Sequence, residues 1–149
     1  MEKPLINKLR LFDNLNSDTK QLWGKMSAQH MVEHLILAVR TSNGKLNVGC
    51  FNPPEKWQTL KRFLLSSRPL PKGFLNPIIG ENLLPLEFEN LDEAKKILRQ
   101  EVEDYYKYFE ENPDAFLLNP TFGELNKDEW EIFHEKHFTH HLAQFGITS

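Results

Sequence analysis

The sequence predicts an all-α fold, a four-helix bundle with a proline-rich excursion between its second and third helices, filling residues 1–149 as one domain. Three observations carry this reading. Apolar residues recur at helical spacing in each long segment. Two segments open on the same capping signature, Asn90-Leu-Asp-Glu93 and Asn126-Lys-Asp-Glu129. No run alternates with period two as a half-buried strand would. A chain of 149 residues and 17.5 kDa is long enough to bury a core without disulfides or a second module.

The first helix follows from Pro4, suited to a first helical position, and from Leu5, Ile6, Leu9, Phe12 and Leu15 at helical spacing. Asn14 and Asn16 to Asp18 stop it. Ser17 is placed to cap a further turn through Leu22 and Trp23 that Gly24 ends. Ser27 caps the second main helix, which runs to about Ser42, before Asn43-Gly44. That helix has two apolar flanks, one with Met31, His34, Leu37 and Ala38, the other with Val32, Ile36 and Val39, so it requires cover on both sides or an interface.

Between Asn43 and Asn90 the character changes. Pro53, Pro54, Pro69, Pro71, Pro77 and Pro85 exclude continuous helix or central strand. Within this excursion Trp57, Leu60, Phe63 and Leu64 keep helical spacing and predict a short helix packed over one end of the bundle. The third main helix carries the stripe Ala94, Ile97, Leu98, Val102, Tyr105 and Phe109, and ends before Asn112-Pro113. In the last helix Leu125 and Trp130 flank the cap as a hydrophobic staple, and Gly146 marks the end.

Hydrophobic content of 40%, charged content of 26%, a net charge of -3 and a pI near 6.1 are those of an ordinary globular protein and give no electrostatic basis for binding nucleic acid. The single cysteine, Cys50, cannot form an internal disulfide, and neither a basic-plus-apolar leader nor a long uncharged apolar stretch is evident. The expectation is a cytosolic protein without a membrane segment.

The six histidines fall in two places, His30 and His34 on the second helix, and His134, His137, His140 and His141 on the last. At about 100° per residue, His137 and His141 lie about 40° apart on one face, whereas His140 is about 100° from His141. Trp130, His134, Phe138 and Phe145 lie within roughly 60° of the same stripe, so these histidines point among side chains that are normally buried. A pair four apart supplies two ligands to one ion, and a catalytic divalent site commonly takes three protein nitrogens and keeps a position open. The third ligand must come from another helix, and His34 is a better candidate than His30 because it sits deeper, on the face of Met31, Leu37 and Ala38.

Three stretches carry a resemblance: Leu22-Trp-Gly-Lys-Met-Ser-Ala-Gln-His-Met-Val-Glu-His34-Leu, Asn119-Pro-Thr-Phe-Gly-Glu-Leu-Asn-Lys-Asp-Glu-Trp130, and His137-Phe-Thr-His-His141-Leu-Ala-Gln-Phe-Gly. From about Leu9 to Ile147 the chain resembles the DinB-like, YfiT-related superfamily of four-helix-bundle metalloenzymes, in particular a branch without a characterised function. The resemblance implies His34, His137 and His141 as metal ligands. His140 goes to an outer, hydrogen-bonding or solvated position. His30 and His134, each one turn from a ligand, are candidates to support the site, and Glu33, Glu135, Gln144 or a backbone carbonyl could hold the ligand tautomers.

Three neutral imidazoles would leave a divalent ion its full charge and an open position, suited to polarising a substrate or acidifying a bound water or thiol. Zinc and nickel both accept imidazole. Characterised members of the superfamily include thiol-dependent S-transferases and a thiol-dependent isomerase, and the resemblance therefore implies a transferase or hydrolase-like enzyme acting on a small molecule with a low-molecular-weight thiol. The cationic residues Lys56, Lys61, Arg62, Arg68 and Lys72 suggest an alternative anionic substrate such as a thioester, against a plain solvated basic face. The competing class is a non-catalytic bundle with a structural or vestigial metal site, acting by binding a partner or as a homodimer, for which the flank Val32, Ile36 and Val39 is the motive.

Overall fold

The computed structural model describes residues 3–71 and 83–148, and Lys72 of the cationic stretch lies outside them. The described residues are mostly helical with one small sheet. Its elements in order are α1 (Pro4–Leu9), a 3₁₀ turn (Arg10–Asn14), α2 (Ala28–Arg40), α3 (Pro54–Leu65), α4 (Leu91–Glu111), β1 (Leu117–Asn119), β2 (Gly123–Leu125) and α5 (Lys127–Gln144). Among the described residues no helix is long and apolar enough to cross a membrane.

Side-chain caps open three of these helices. Ser27 accepts the His30 N–H, Asn90 that of Glu93 and Asn126 that of Glu129. The box at Asn126 is reciprocal, since Glu129 accepts the Asn126 N–H at 2.9 Å. At Asn90 it is only half formed, because the Glu93 carboxylate turns instead to the Glu89 N–H. Leu125 and Trp130, on either side of the α5 cap, are both fully buried.

Two expectations are corrected. No helical turn forms from Ser17 to Trp23. Asn16 Oδ1 accepts the Asp18 N–H and Thr19 Oγ1 the Asn16 N–H, local bonds that satisfy the backbone without a helix. The Leu22 N–H then donates to the Gln144 carbonyl, so this stretch is fastened to the end of α5. The chain also contains a β-hairpin, antiparallel with Leu117 opposite Leu125. Its three-residue strands are too short to show alternation, and its turn is made by Asn119 Oδ1, which accepts the N–H groups of Thr121 and Phe122. Gly123 is required there, because its φ is +82° and a Cβ would run into the Trp57 indole.

In the core, α2 packs along α4, while α5 contacts α1, α2, α3 and β2. Both flanks of α2 are covered: Met31, Val32, Ile36, Ala38 and Val39 are all buried. Polar groups tie the layers together. Tyr105 and Tyr106 of α4 donate to Glu131 of α5 at 2.7 and 2.6 Å, and the Tyr106 hydroxyl accepts the Leu5 N–H of α1. Burial pushes the Glu131 pKa up despite these bonds.

Glu101 stands within the apolar stripe of α4 at 5% exposure. Arg40 Nε donates to one of its oxygens at 2.7 Å, and Lys45 Nζ and Asn43 Nδ2 donate to the other at 2.8 and 2.9 Å. Burial alone would raise its pKa, but hydrogen bonds from Lys45, Arg40 and Asn43 outweigh it and hold the pKa below the usual range. A paired carboxylate can therefore replace an apolar residue at the join of α2 and α4.

Candidate metal centre

The three histidines singled out by spacing and by resemblance come together. His34 of α2 and His137 and His141 of α5 present ring nitrogens that all lie within 4.8 Å of one another. His137 is the middle member, with its Nε2 2.9 Å from His34 Nε2 and 3.1 Å from His141 Nε2. All three side chains are buried.

Their protonation follows from burial. Desolvation first, then the proximity of the other histidines, lowers the pKa values of His34 and His137 well below the ordinary value. Burial lowers His141 to about 4. All three rings are neutral at pH 7, as ligands must be.

A chain of hydrogen bonds fixes which nitrogen of His141 carries its proton. Gln144 Nε2 donates to the Trp23 carbonyl at 2.8 Å, which orients the amide so that its Oε1 faces His141 Nδ1 at 2.9 Å. Only a protonated Nδ1 can make that bond, so Nε2 of His141 offers a lone pair to the cluster. A neutral His137 has one ring proton, which cannot serve both short Nε2 contacts, while Nδ1 of His34 and Nδ1 of His137 have no partner among the described residues. A cation among the three Nε2 atoms would accept all their lone pairs at once. Nitrogens 2.0 to 2.1 Å from a tetrahedral ion lie about 3.3 Å apart, close to the two short spacings, while all three nitrogens lie within 4.8 Å.

Sequence reasoning left the support of the ligands open among Glu33, Glu135, Gln144 and backbone carbonyls. Gln144 is the group that reaches one. Glu33 is engaged elsewhere: its oxygens accept the N–H groups of Glu87 and Phe88 and the side-chain amide of Gln29. Reading Leu22 to Gly24 as a helical turn missed its place beside the site. Trp23 supplies the carbonyl that orients Gln144, and Gly24, at φ +85°, leaves the space that Gln144 Nε2 occupies. The available signal was the Trp-Gly pair shortly before a capped helix.

The other histidines are apart from this centre. His140 is 9% exposed and meets the Trp23 ring edge-on, so it is outer but not solvated. His134 is fully buried, stacked on Trp130 with Nε2 2.7 Å from Ser42 Oγ, one turn from His137 and without contact to the cluster nitrogens. His30 contacts Ser27 Oγ through Nδ1 at 2.7 Å. Of the cationic stretch, Lys61 pairs with Glu129 at 3.3 Å.

Residues 84–148 match a family described as a protein of unknown function, DUF1569. The match takes in α4, the hairpin and α5 with His137 and His141, and stops short of α2 and His34. Comparisons with curated proteins and with solved structures return no match.

Proposed function

We propose that this chain is a divalent-metal-dependent enzyme of the DinB-like type, using His34, His137 and His141 as ligands in a thiol-dependent transfer or hydrolase-like reaction on a small molecule. The observation that carries the reading is the convergence of three buried, neutral imidazoles whose Nε2 atoms lie 2.9 and 3.1 Å apart in succession. A divalent ion held there, zinc or nickel, would polarise a substrate or acidify a bound thiol or water. The chain's own part is positioning and exclusion of water. Gln144 holds the His141 tautomer, Phe133 lies against the His137 ring at 5.0 Å, and among the described residues no carboxylate joins the cluster to offset the ion's charge.

The same reading takes α1 with its 3₁₀ turn, α2, α4 and α5 as the four members of a bundle, with α3 and the hairpin as additions. The resemblance in the His34 and His137–His141 stretches supports it. It includes a cytosolic setting, supported by the single unpaired Cys50. The non-catalytic alternative, dimerisation through Val32, Ile36 and Val39, has less support. All three side chains are buried within the chain, where α2 packs along α4.

Elemental analysis of protein made without a histidine tag is the direct test. About one equivalent of divalent metal per chain is expected. Metal-free protein from a metal-replete culture would overturn the reading. Gln144→Leu is expected to keep the fold and lower ion affinity by about 10- to 100-fold, the usual effect of losing a hydrogen bond behind a ligand, as read by competition with a chromophoric chelator. Unchanged affinity would remove Gln144 from the site.

A further inference from the structure

A cavity of about 270 Å³ opens on the face of α2 that carries His30, Glu33, His34 and Leu37. His34 is among the residues that line it. Its remaining walls are largely apolar, with Met26, Leu84 and Pro85 among them. An apolar cavity of about 150 Å³ accommodates benzene, so this one has room for roughly ten non-hydrogen atoms.

The polar groups in the lining are mostly committed. Both oxygens of Glu33 are held by the backbone of Glu87 and Phe88, which fixes the wall and removes that carboxylate as a partner for a ligand. Glu87 pairs with Arg40 at 3.6 Å. His30 is different. Ser27 Oγ already accepts the His30 backbone N–H, and its own proton is free to donate to His30 Nδ1. With the hydroxyl donating, the ring proton stands on Nε2, and that nitrogen has no partner among the described residues. The cavity thus combines apolar walls, an imidazole nitrogen of His30 without a partner among the described residues, and His34, one of the three clustered histidines.

We propose that this cavity is the substrate pocket of the centre, taking a small molecule with an aliphatic body and one anionic head that His30 Nε2–H binds beside the ion. The proposal rests on the metal reading above. Organic cations are excluded by the same features, since a bound divalent ion repels them and Glu33 is not free to receive them.

The test titrates cobalt-loaded protein with straight-chain alkanoates from acetate to octanoate, and with the matching alkylammonium ions, following the visible cobalt spectrum. Alkanoate affinity is expected to rise about fourfold for each added methylene, corresponding to about 0.8 kcal/mol, until the cavity is full. Alkylammonium ions should produce no change. Leu84→Asp, at an exposed position on the wall, should flatten the chain-length series, and His30→Phe should weaken every alkanoate by about tenfold, both with cobalt stoichiometry unchanged. Bound cobalt with no chain-length dependence, or a dependence indifferent to both variants, would overturn the pocket while leaving the metal reading intact. Absence of bound cobalt in the wild type would overturn the metal reading, and the pocket with it.

Discussion

Replacing His137 with alanine is expected to lower the affinity for a divalent ion at least about a thousandfold, and so to abolish ion-dependent stabilisation worth about 4 kcal/mol at saturating metal. His137 is the member that touches both of the others, at 2.9 and 3.1 Å. Its loss removes one nitrogen and also breaks the pair on α5, leaving His34 and His141 on separate helices with too few donors for a stable site. The fully buried ring leaves a cavity as well, so the ion-free protein should lose about 2–4 kcal/mol. The decisive quantity is therefore the shift in melting temperature on adding zinc, compared between variants. Wild type and His140→Ala should both show it, and His137→Ala should not. Equal shifts in wild type and His137→Ala would refute the assigned ligand set.

The second large effect concerns acid. Burial lowers the His134 pKa to about 3 in the folded protein, whereas an unfolded chain returns it to about 6.5. Between these values the unfolded state binds the extra proton, so stability rises with pH and is lost as pH falls, by up to about 1.4 kcal/mol per pH unit for this one residue. His134→Phe keeps a flat ring against Trp130 and Tyr105 and leaves Ser42 its bond to the Val39 carbonyl. The variant should be less stable than wild type at pH 7 by about 1 kcal/mol, and the order should reverse by pH 4.5, a relative change of roughly 2.5 kcal/mol. Urea unfolding in a chelator at both pH values measures it. Glu101 acts in the same direction, contributing stability above its unfolded pKa and losing it as pH falls through its lowered folded one, but it is common to both proteins and cancels. Parallel loss of stability in the two would show that His134 is not held neutral.

The clustering of the three histidines was legible in the sequence because its signals are local. His137 and His141 share a face by helical arithmetic alone, and the Asn126 box fixes where that helix starts. His34 needed the resemblance to become firm, since periodicity only ranks it above His30. What escaped was set by tertiary contacts. Glu101 interrupts an apolar stripe because three partners from α2 and the turn after it converge there, which no pattern within α4 announces. Leu22 to Gly24 has helix-like residues, yet its conformation is dictated by Gln144, more than a hundred residues on. The buried side chains of α5 cover roughly 200° of its circumference, so its wheel distinguishes ligand from core only where a second helix is known to face it.

The same arrangement has a consequence for folding. His34 and His137 are 103 positions apart along the chain, yet nearly touch. An ion gripping both would act as a cross-link closing a loop of about a hundred residues, a constraint worth about 4.7 kcal/mol of chain entropy if it persisted in the unfolded state. Metal added before refolding would then join the chain's two ends of sequence first, and the proline-rich middle would fold inside a closed ring.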